Sequence, residues 1–255
     1  MIILLSPAKT IRTPRIQTEM GSDPAFADNA SKIAGEIRKL SFADFCGLLK
    51  VSGNLARQSY DVMQRWHWPH DPQNSFPAAL MYDGPAFKGL NASDFSEDDK
   101  KFAQSHLRIL SGLYGVLRPY DRIMFYRLEA QTPLSVKKNK NLYHFWNSIP
   151  SRNIEADLKR MKSNLLVNLT SDEYGKMVVP HVSSSVKVVN VAFKQMKAGR
   201  PFINVVEMKK ARGMMARFII QGRIKDSGDL VAFDMNGYYF ERALSDENNL
   251  TFLRA

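Results

Sequence analysis

Cysteine is almost absent from this chain of 255 residues, which contains Cys46 alone. A single cysteine cannot form an internal disulfide, and such sparse use fits a reducing compartment. Long apolar runs are also missing. The opening run MIILL is too short for a signal peptide or a membrane span, and basic residues follow it instead of preceding it. We therefore expect a cytoplasmic protein that makes no use of a membrane.

Acidic residues are scarce in one part of the chain. Overall there are 36 Lys and Arg against 25 Asp and Glu, a net charge of +11. Residues 175–225 hold eleven of the basic residues and a single acid, Glu207, so nearly all of the excess lies there. Charge concentrated in this way predicts one positive face, which is typical of proteins that bind phosphate-rich partners such as nucleic acid.

The composition, with 44% hydrophobic and 24% charged residues, allows a substantial core. Apolar and β-branched runs predict strands at residues 1–5, 125–128, 165–169, 186–193, 202–206, 230–233 and 238–240, the last two as a hairpin. Helical spacing predicts helices around residues 33–40, 42–49, 55–63, 142–146, 154–161 and 209–223. Since no repeat or linker interrupts the chain, we predict a single domain over residues 1–255, of mixed α/β class with helices around a mixed sheet.

The stretch LRILSGLYGVLRP predicts a helix, a tight hairpin and a second helix. Ser96 with Asp99 three residues later predicts a capping pair that opens the first helix. Gly112 and Gly115 bracket the turn, and glycine adopts positive φ without a Cβ clash. We therefore predict a helix-hairpin-helix over about residues 96–125, whose free backbone N–H groups would bind phosphate oxygens. A purely structural turn between two packed helices gives the same pattern.

The segment KKARGMMARFIIQGR predicts a helix with a basic side and an apolar side. It contains no acid for ordinary surface ion pairs, so we interpret the basic side as a binding surface; a solvated charged face is the alternative. Forked guanidinium groups on this side would hold phosphate oxygens. With the bases near the predicted turns, the candidate phosphate contacts are Lys9, Lys88, Arg108, Gly112, Gly115, Arg118, Arg127, Lys209, Lys210, Arg212 and Arg217.

Two polar loops follow the two most apolar predicted strands. Lys9 comes after the first strand, and Asp172 and Glu173 come after the strand at residues 165–169. If these strands end side by side, the three side chains lie near one another, at the edge of the sheet where α/β proteins bind ligands. A lysine beside carboxylates, with Arg127 and Arg212, suits a phosphorylated small molecule or nucleotide, with a carboxylate as general base.

An enzyme whose candidate catalytic residues are Lys9, Asp172 and Glu173 is therefore the alternative to a nucleic-acid-binding protein. The sequence has no Walker loop, no GxGxxG fingerprint and no nucleophile elbow, so it predicts no particular reaction.

The sequence WHWPH places His67 and His70 three residues apart. A metal site usually needs further ligands at suitable spacing, and Asp71 is the sole carboxylate or thiol close by in the sequence. We therefore predict an aromatic segment that packs into the core, and neither a metal site nor a cofactor.

Seven segments together resemble the YaaA peroxide-stress protein family: ILLSPAKT (3–10), FSEDD (95–99), HLRILSGLYGVLRPYD (106–121), YRLE (126–129), LYHFW (142–146), NLTSDEY (168–174) and KKARGMMARFII (209–220). The resemblance covers nearly the whole chain. The turn DGPAFKG departs from the acidic-aromatic turn, similar to DGDVYKG, that is more usual in the family, so no role is carried over to it.

The resemblance implies a cytoplasmic protein with an unusual single-domain α/β fold, a helix-hairpin-helix and a basic cleft that binds double-stranded or distorted DNA. It also implies a role in peroxide stress, in which damage is limited by holding down free intracellular iron, and it brings no catalytic residues. We expect the link to iron to be indirect, because one cysteine and five scattered histidines make a poor iron site. We favour a monomer.

Overall fold

The computed structural model describes residues 1–16, 18–197 and 199–255. Its strands are β1 (Ile2–Leu5), β2 (Phe76–Pro77), β3 (Leu107–Ser111), β4 (Gly115–Leu117), β5 (Arg122–Ile123), β6 (Leu165–Leu169), β7 (Lys187–Lys197), β8 (Arg200–Phe202), β9 (Tyr238–Phe240) and β10 (Asn249–Arg254). Its helices are α1 (Ala27–Arg38), α2 (Phe42–Leu49), α3 (Gly53–Arg65), α4 (Ala78–Met81), α5 (Pro85–Leu90), α6 (Glu97–His106), α7 (Leu142–Trp146), α8 (Ile149–Arg160), α9 (Asp172–Gly175) and α10 (Val205–Gly222).

Strand β1 lies inside a sheet of order β4-β3-β1-β6-β7-β10-β9, in which β8 pairs with β7. The five strands from β3 to β10 run parallel, whereas β4, β8 and β9 are antiparallel to their neighbours. All four residues of β1 are fully buried, as expected of a strand covered on both faces. The mixed α/β fold predicted from the sequence is confirmed.

Helices cover this sheet and share its hydrophobic core. Helix α10 packs against β1, β6 and β7, and α8 packs against β1 and β4. The three helices predicted before residue 65 are present, and the Ser41 side chain caps α2 by accepting a hydrogen bond from the Asp44 N–H. The buried apolar residues form one continuous cluster that extends from Met1 to Phe252.

The predicted helix-hairpin-helix is wrong. The capping box of Ser96 and Asp99 does open a helix, but α6 ends at His106 and the chain continues as the hairpin of strands β3 and β4. Strand β3 pairs with β1 and is buried along its whole length. A short apolar run has the same composition in a buried strand as in a buried helix, so its pattern does not separate the two.

The turn of this hairpin is closed to ligands. Gly115 has φ of 71°, and a Cβ there would lie 2.7 Å from the Trp146 ring, so both backbone conformation and packing require glycine. The N–H groups of Leu113 and Tyr114 both donate to the Ser111 hydroxyl, at 3.2 and 3.0 Å. Because these donors are buried and already paired, the turn does not offer them to a phosphate.

Three other predicted strands are also wrong. Residues 124–129 form no strand, and residues 228–232 form a 3₁₀ helix. Strand β9 pairs with the chain's last strand, β10, instead of the segment before it. The strand predicted at residues 202–206 is also absent, because β8 ends at Phe202 and α10 begins at Val205. The Asn204 side chain caps this helix by accepting hydrogen bonds from the N–H groups of Val206 and Glu207.

Within the residues described, no helix combines the length and apolar character that crossing a membrane requires.

Helices α5 and α10 touch through their backbones. A Cβ on Gly213 would overlap the carbonyl oxygen of Ala86, and one on Gly89 would overlap the carbonyl oxygen of Lys210. The two glycines therefore let a short helix that follows the polar turn at Asp83 lie directly on the long basic helix.

We predict that Gly213→Ala lowers the free energy of unfolding by about 3 kcal/mol or more, because the methyl group forces the helices apart. Gly35→Ala in α1 is the matched control, since a Cβ there meets nothing within 4 Å. It should be neutral or stabilise by up to about 1 kcal/mol through helix propensity. Urea denaturation measures both, and equal stability of the two variants would contradict the backbone contact.

Candidate functional site

A cavity of about 590 Å³ opens where strands β1 and β6 end. These strands run parallel with Leu5 opposite Leu169, so the loops that follow them leave the sheet at the same edge. The Ser171 N–H donates to the Ser6 hydroxyl at 2.9 Å, which ties the two loops together.

The cavity brings together the polar residues that the sequence singled out on both loops. Its acidic and basic lining residues are Lys9, Asp83, Asp172, Glu173, Lys209 and Arg212. The bases of α10 reach it because that helix packs on β1 and β6. We call this space the charged cavity.

Lys9, which lines the charged cavity, belongs to a chain of ion pairs. The Lys9 ammonium lies 2.9 Å from one carboxylate oxygen of Glu129, and the Arg127 guanidinium lies 3.6 Å from the other. Glu173 accepts a hydrogen bond from the Gln131 N–H at 3.3 Å. Burial raises the pKa of Glu173, and the nearby charge of Glu129 raises it further, so Glu173 takes up a proton more readily than an exposed glutamate.

A second cavity of about 460 Å³ adjoins the first where β6 ends, beside the middle of β7 and the start of β10. Asn168 donates to Asn190 at 2.9 Å, and Asn190 donates to Asn249 at 3.1 Å. These three residues are opposite one another in the sheet, so their amides form a ladder across it. We call this space the amide cavity, and the two cavities together the cleft.

Arg212 lines both cavities, as do Ser171 and Asp172. Its Nε is buried and has no hydrogen-bond partner among the described residues. Burial lowers the pKa of this guanidinium, and the charge of Asp172 partly offsets the effect. A desolvated cation with an unused donor gains more from an anion than a solvated one does.

Four lysines lie around this part of the surface. Lys9 and Lys209 are exposed while lining the charged cavity. Lys88 is exposed on α5, the short helix that lies against α10, and Lys210 is half-buried on α10. These residues, with Arg212, keep the candidate role that the sequence gave them.

Arg108 is the clearest error among the candidate phosphate contacts. Its side chain is 2% exposed and its Nη2 lies 2.6 Å from the carboxylate of Asp157, which is 1% exposed. Asp157 also pairs with Arg160. Arg108 is therefore a core cation, because strand β3 crosses the interior where a surface helix was expected.

Arg217 is held by the protein itself. Its guanidinium lies 2.6 Å from the Asp94 carboxylate, donates to the Asn91 carbonyl at 3.1 Å, and lies over the Phe95 ring. It therefore fastens α10 to the turn before α6. Arg118 is half-buried in the loop after β4, and its N–H donates to Asp121, so it belongs to the hairpin side with Gly112 and Gly115.

Sequence reasoning missed Glu129 and the asparagine ladder. Glu129 lies two residues after Arg127, and both belong to the ion pairs described above. Asn168 is the last residue but one of β6, and Asn190 lies inside β7. Only strand pairing shows that their amides meet.

The histidine pair lies away from the cleft, and His70 is part of an aromatic cluster. Its Nδ1 contacts the His67 carbonyl at 2.7 Å, so Nδ1 carries the proton and Nε2 accepts from the Tyr114 hydroxyl at 3.1 Å. Trp66 donates its indole N–H to the same hydroxyl at 2.8 Å. Burial lowers the pKa of His70 to about 4, which keeps the ring neutral near neutral pH.

We predict that His70 sets part of the acid sensitivity of the fold. The unfolded chain binds a proton near pH 6.5 and the folded chain near pH 4, so the free energy of unfolding falls between these values. After a discount for partial exposure, His70→Gln should lose about 2 kcal/mol less than the wild type between pH 7 and pH 4.5. Urea denaturation at several pH values measures this. His181→Gln, which removes an exposed histidine outside the aromatic cluster, is the control; a His70→Gln curve parallel to those of the wild type and the control would contradict the prediction.

Known proteins match the chain over most of its length. Residues 1–244 match the family described as peroxide stress protein YaaA. UPF0246 proteins of Clostridium perfringens strains SM101, ATCC 13124 and 13 are each 38% identical over 256 residues, with 100% of both chains covered. The chain therefore belongs to the peroxide stress protein YaaA family.

Proposed function

We propose that the protein binds the phosphate backbone of DNA through the basic residues around the cleft, which are Lys9, Lys88, Lys209, Lys210 and Arg212. It does so without reading sequence, as part of the peroxide stress response. The observation that carries this proposal is the convergence of Lys9, Lys209 and Arg212, from distant parts of the chain, on one cavity. Lysines with exposed ammonium groups suit phosphate contacts that supply affinity and no base discrimination.

The hairpin of β7 and β8 extends the same basic surface. Lys194 lines the amide cavity, and Lys197 and Arg200 are exposed near the turn. Phe202 and Ile203 follow them with 38% and 57% of their surfaces exposed. Proteins that bind the grooves of DNA often place exposed apolar side chains next to lysines and arginines and insert them between base pairs. This segment therefore supports DNA as the partner.

The protective role follows from where such a protein would sit. Bound along the DNA backbone, it would occupy the negative surface that attracts iron cations, and so limit iron-dependent damage close to the bases. This role requires no iron site in the protein, and among the described residues no group of three or more His, Cys, Asp or Glu is placed to hold a metal ion.

An enzyme that acts on a phosphorylated small molecule in the charged cavity is a second candidate. The favouring observation is that Glu173, whose pKa is raised by burial, shares a cavity with Lys9 and Arg212. A carboxylate with a raised pKa beside two cations is suited to move a proton on a bound anion.

We predict that Lys209→Ala combined with Lys210→Ala weakens DNA binding equally for unrelated duplex sequences. If each lysine contacts one phosphate, the slope of log affinity against log salt should become shallower by about two in total. Fluorescence anisotropy at several salt concentrations measures the slope.

The control double variant is Lys39→Ala with Lys101→Ala, which removes the same charge from two exposed lysines paired with Glu36 and Asp98. It should keep the wild-type slope. Equal slopes for the two double variants would contradict the proposal that DNA binds at the cleft. So would the absence of DNA binding by the wild type at low salt. Arg217→Ala is unsuitable here because it also breaks the contact to Asp94.

A further inference from the structure

The charged cavity lies at a reversal in the order of the sheet. From β1 the chain continues to β3 on one side of β1, and it later returns as β6 on the other side. In open α/β sheets the loops at such a point diverge and leave a crevice outside the carboxyl ends of the strands, where ligands bind. The loops after β1 and β6 form this crevice here.

The two cavities differ in chemistry and share Ser171, Asp172 and Arg212. The charged cavity also holds Lys9 and Lys209, whereas the amide cavity is lined mainly by amides, hydroxyls and apolar side chains, with Lys194 as its one further cation among the described residues. With about 590 and 460 Å³, each is large enough for part of a ligand of drug size. The ligand that fits both has an anionic part and a neutral polar part, joined near Arg212.

Arg212 points to phosphate as the anionic part. Its buried Nε lacks a hydrogen-bond partner among the described residues, which is costly for a charged donor. A planar guanidinium matches two phosphate oxygens, and an ammonium on either side adds charge without a fixed direction. Lys9 and Lys209 are those ammonium groups.

The carboxylates of the charged cavity suit a divalent cation beside that phosphate. Asp172 and Glu173 face the same space, and alone they would repel an anion. Mg²⁺ is ordinarily held by one or two carboxylates together with ligand phosphates, and it keeps several waters. With Mg²⁺ bound between them, the carboxylates and the phosphate oxygens would be ligands of one cation and would no longer repel each other.

The amide ladder suits a nucleoside. An asparagine amide carries two N–H donors, and Asn168 and Asn190 each use one of them within the ladder. Phe193, Met208 and Leu250 line the same cavity as these asparagines. Apolar walls with a few fixed polar groups are the usual surroundings of a nucleobase or its ribose.

We propose that the cleft binds the magnesium complex of a nucleoside triphosphate, with the phosphates in the charged cavity and the nucleoside in the amide cavity. The proposal rests on the second candidate function above, whose phosphorylated ligand it names. It does not depend on DNA binding.

Isothermal titration calorimetry without DNA tests the proposal. The probes are ATP, GTP, CTP and UTP with Mg²⁺, the same nucleotides with EDTA, and magnesium tripolyphosphate and ribose 5-phosphate. At least one nucleotide should bind with Mg²⁺, and EDTA should weaken it by about tenfold or more. Arg212→Met should weaken it by about tenfold or more, since a bidentate phosphate contact is lost. Arg223→Met, at the residue that follows α10, is the control, because Arg223 pairs with Asp99 outside both cavities, and it should leave the affinity unchanged.

Asn190 variants test the nucleoside position. Asn190→Leu removes the N–H donors and adds no charge, so it should weaken the nucleotide and leave tripolyphosphate binding unchanged. Asn190→Ala gives the same comparison if the leucine variant does not fold.

Each of the remaining outcomes of the calorimetry would overturn one part of the proposal. Binding of tripolyphosphate or ribose 5-phosphate without any nucleotide would overturn the nucleoside assignment and leave the phosphorylated-ligand function standing. No binding of any probe would overturn both. Nucleotide affinity that is equal in EDTA would overturn the role of Mg²⁺, and wild-type affinity in Arg212→Met would overturn the site.

Discussion

The parallel pairing of β1 with both β3 and β6 is the constraint on which the cleft depends. Because β1 is buried on both faces and runs parallel to β6, the polar loops after both strands must leave the sheet at one edge. The glycine contact between α5 and α10 then brings the basic helix onto the same edge. Charges that are far apart in the sequence therefore meet, and their mutual repulsion is offset by the carboxylates of the loops.

Two groups of the protein's basic residues have different roles, those paired with a carboxylate within the fold and those that face the cleft. Arg108 and Arg217 are paired with Asp157 and Asp94, so their charge stabilises the fold. The exposed Lys209, and Arg212 with its buried Nε, face the cleft instead. A net charge of +11 alone does not distinguish these roles, because pairing depends on partners more than one hundred residues away for Arg217 and about fifty away for Arg108.

The elements that the sequence predicted well are those whose signal is local. The apolar runs of β1 and β6, the serine cap of α2 and the spacing of α10 need no distant partner to be recognised. The hairpin of β3 and β4 was mistaken for a helix pair, because burial on both faces removes the alternation that marks a strand. The loops of the charged cavity were found from polar residues at strand ends, whereas the amide ladder depends on strand register, which the sequence does not reveal.

The central claim is that the edge of the sheet, and not the glycine-bracketed turn, meets phosphate. Hydrogen–deuterium exchange of the full chain, with and without saturating duplex DNA at low salt, tests it most directly. The account predicts that DNA slows exchange in residues 6–10, 171–174 and 209–212, which contain most of the residues that line the charged cavity and are called its rim here. Slower exchange confined to helices α1–α3 or to the turn at residues 112–115, with the rim unchanged, would contradict it.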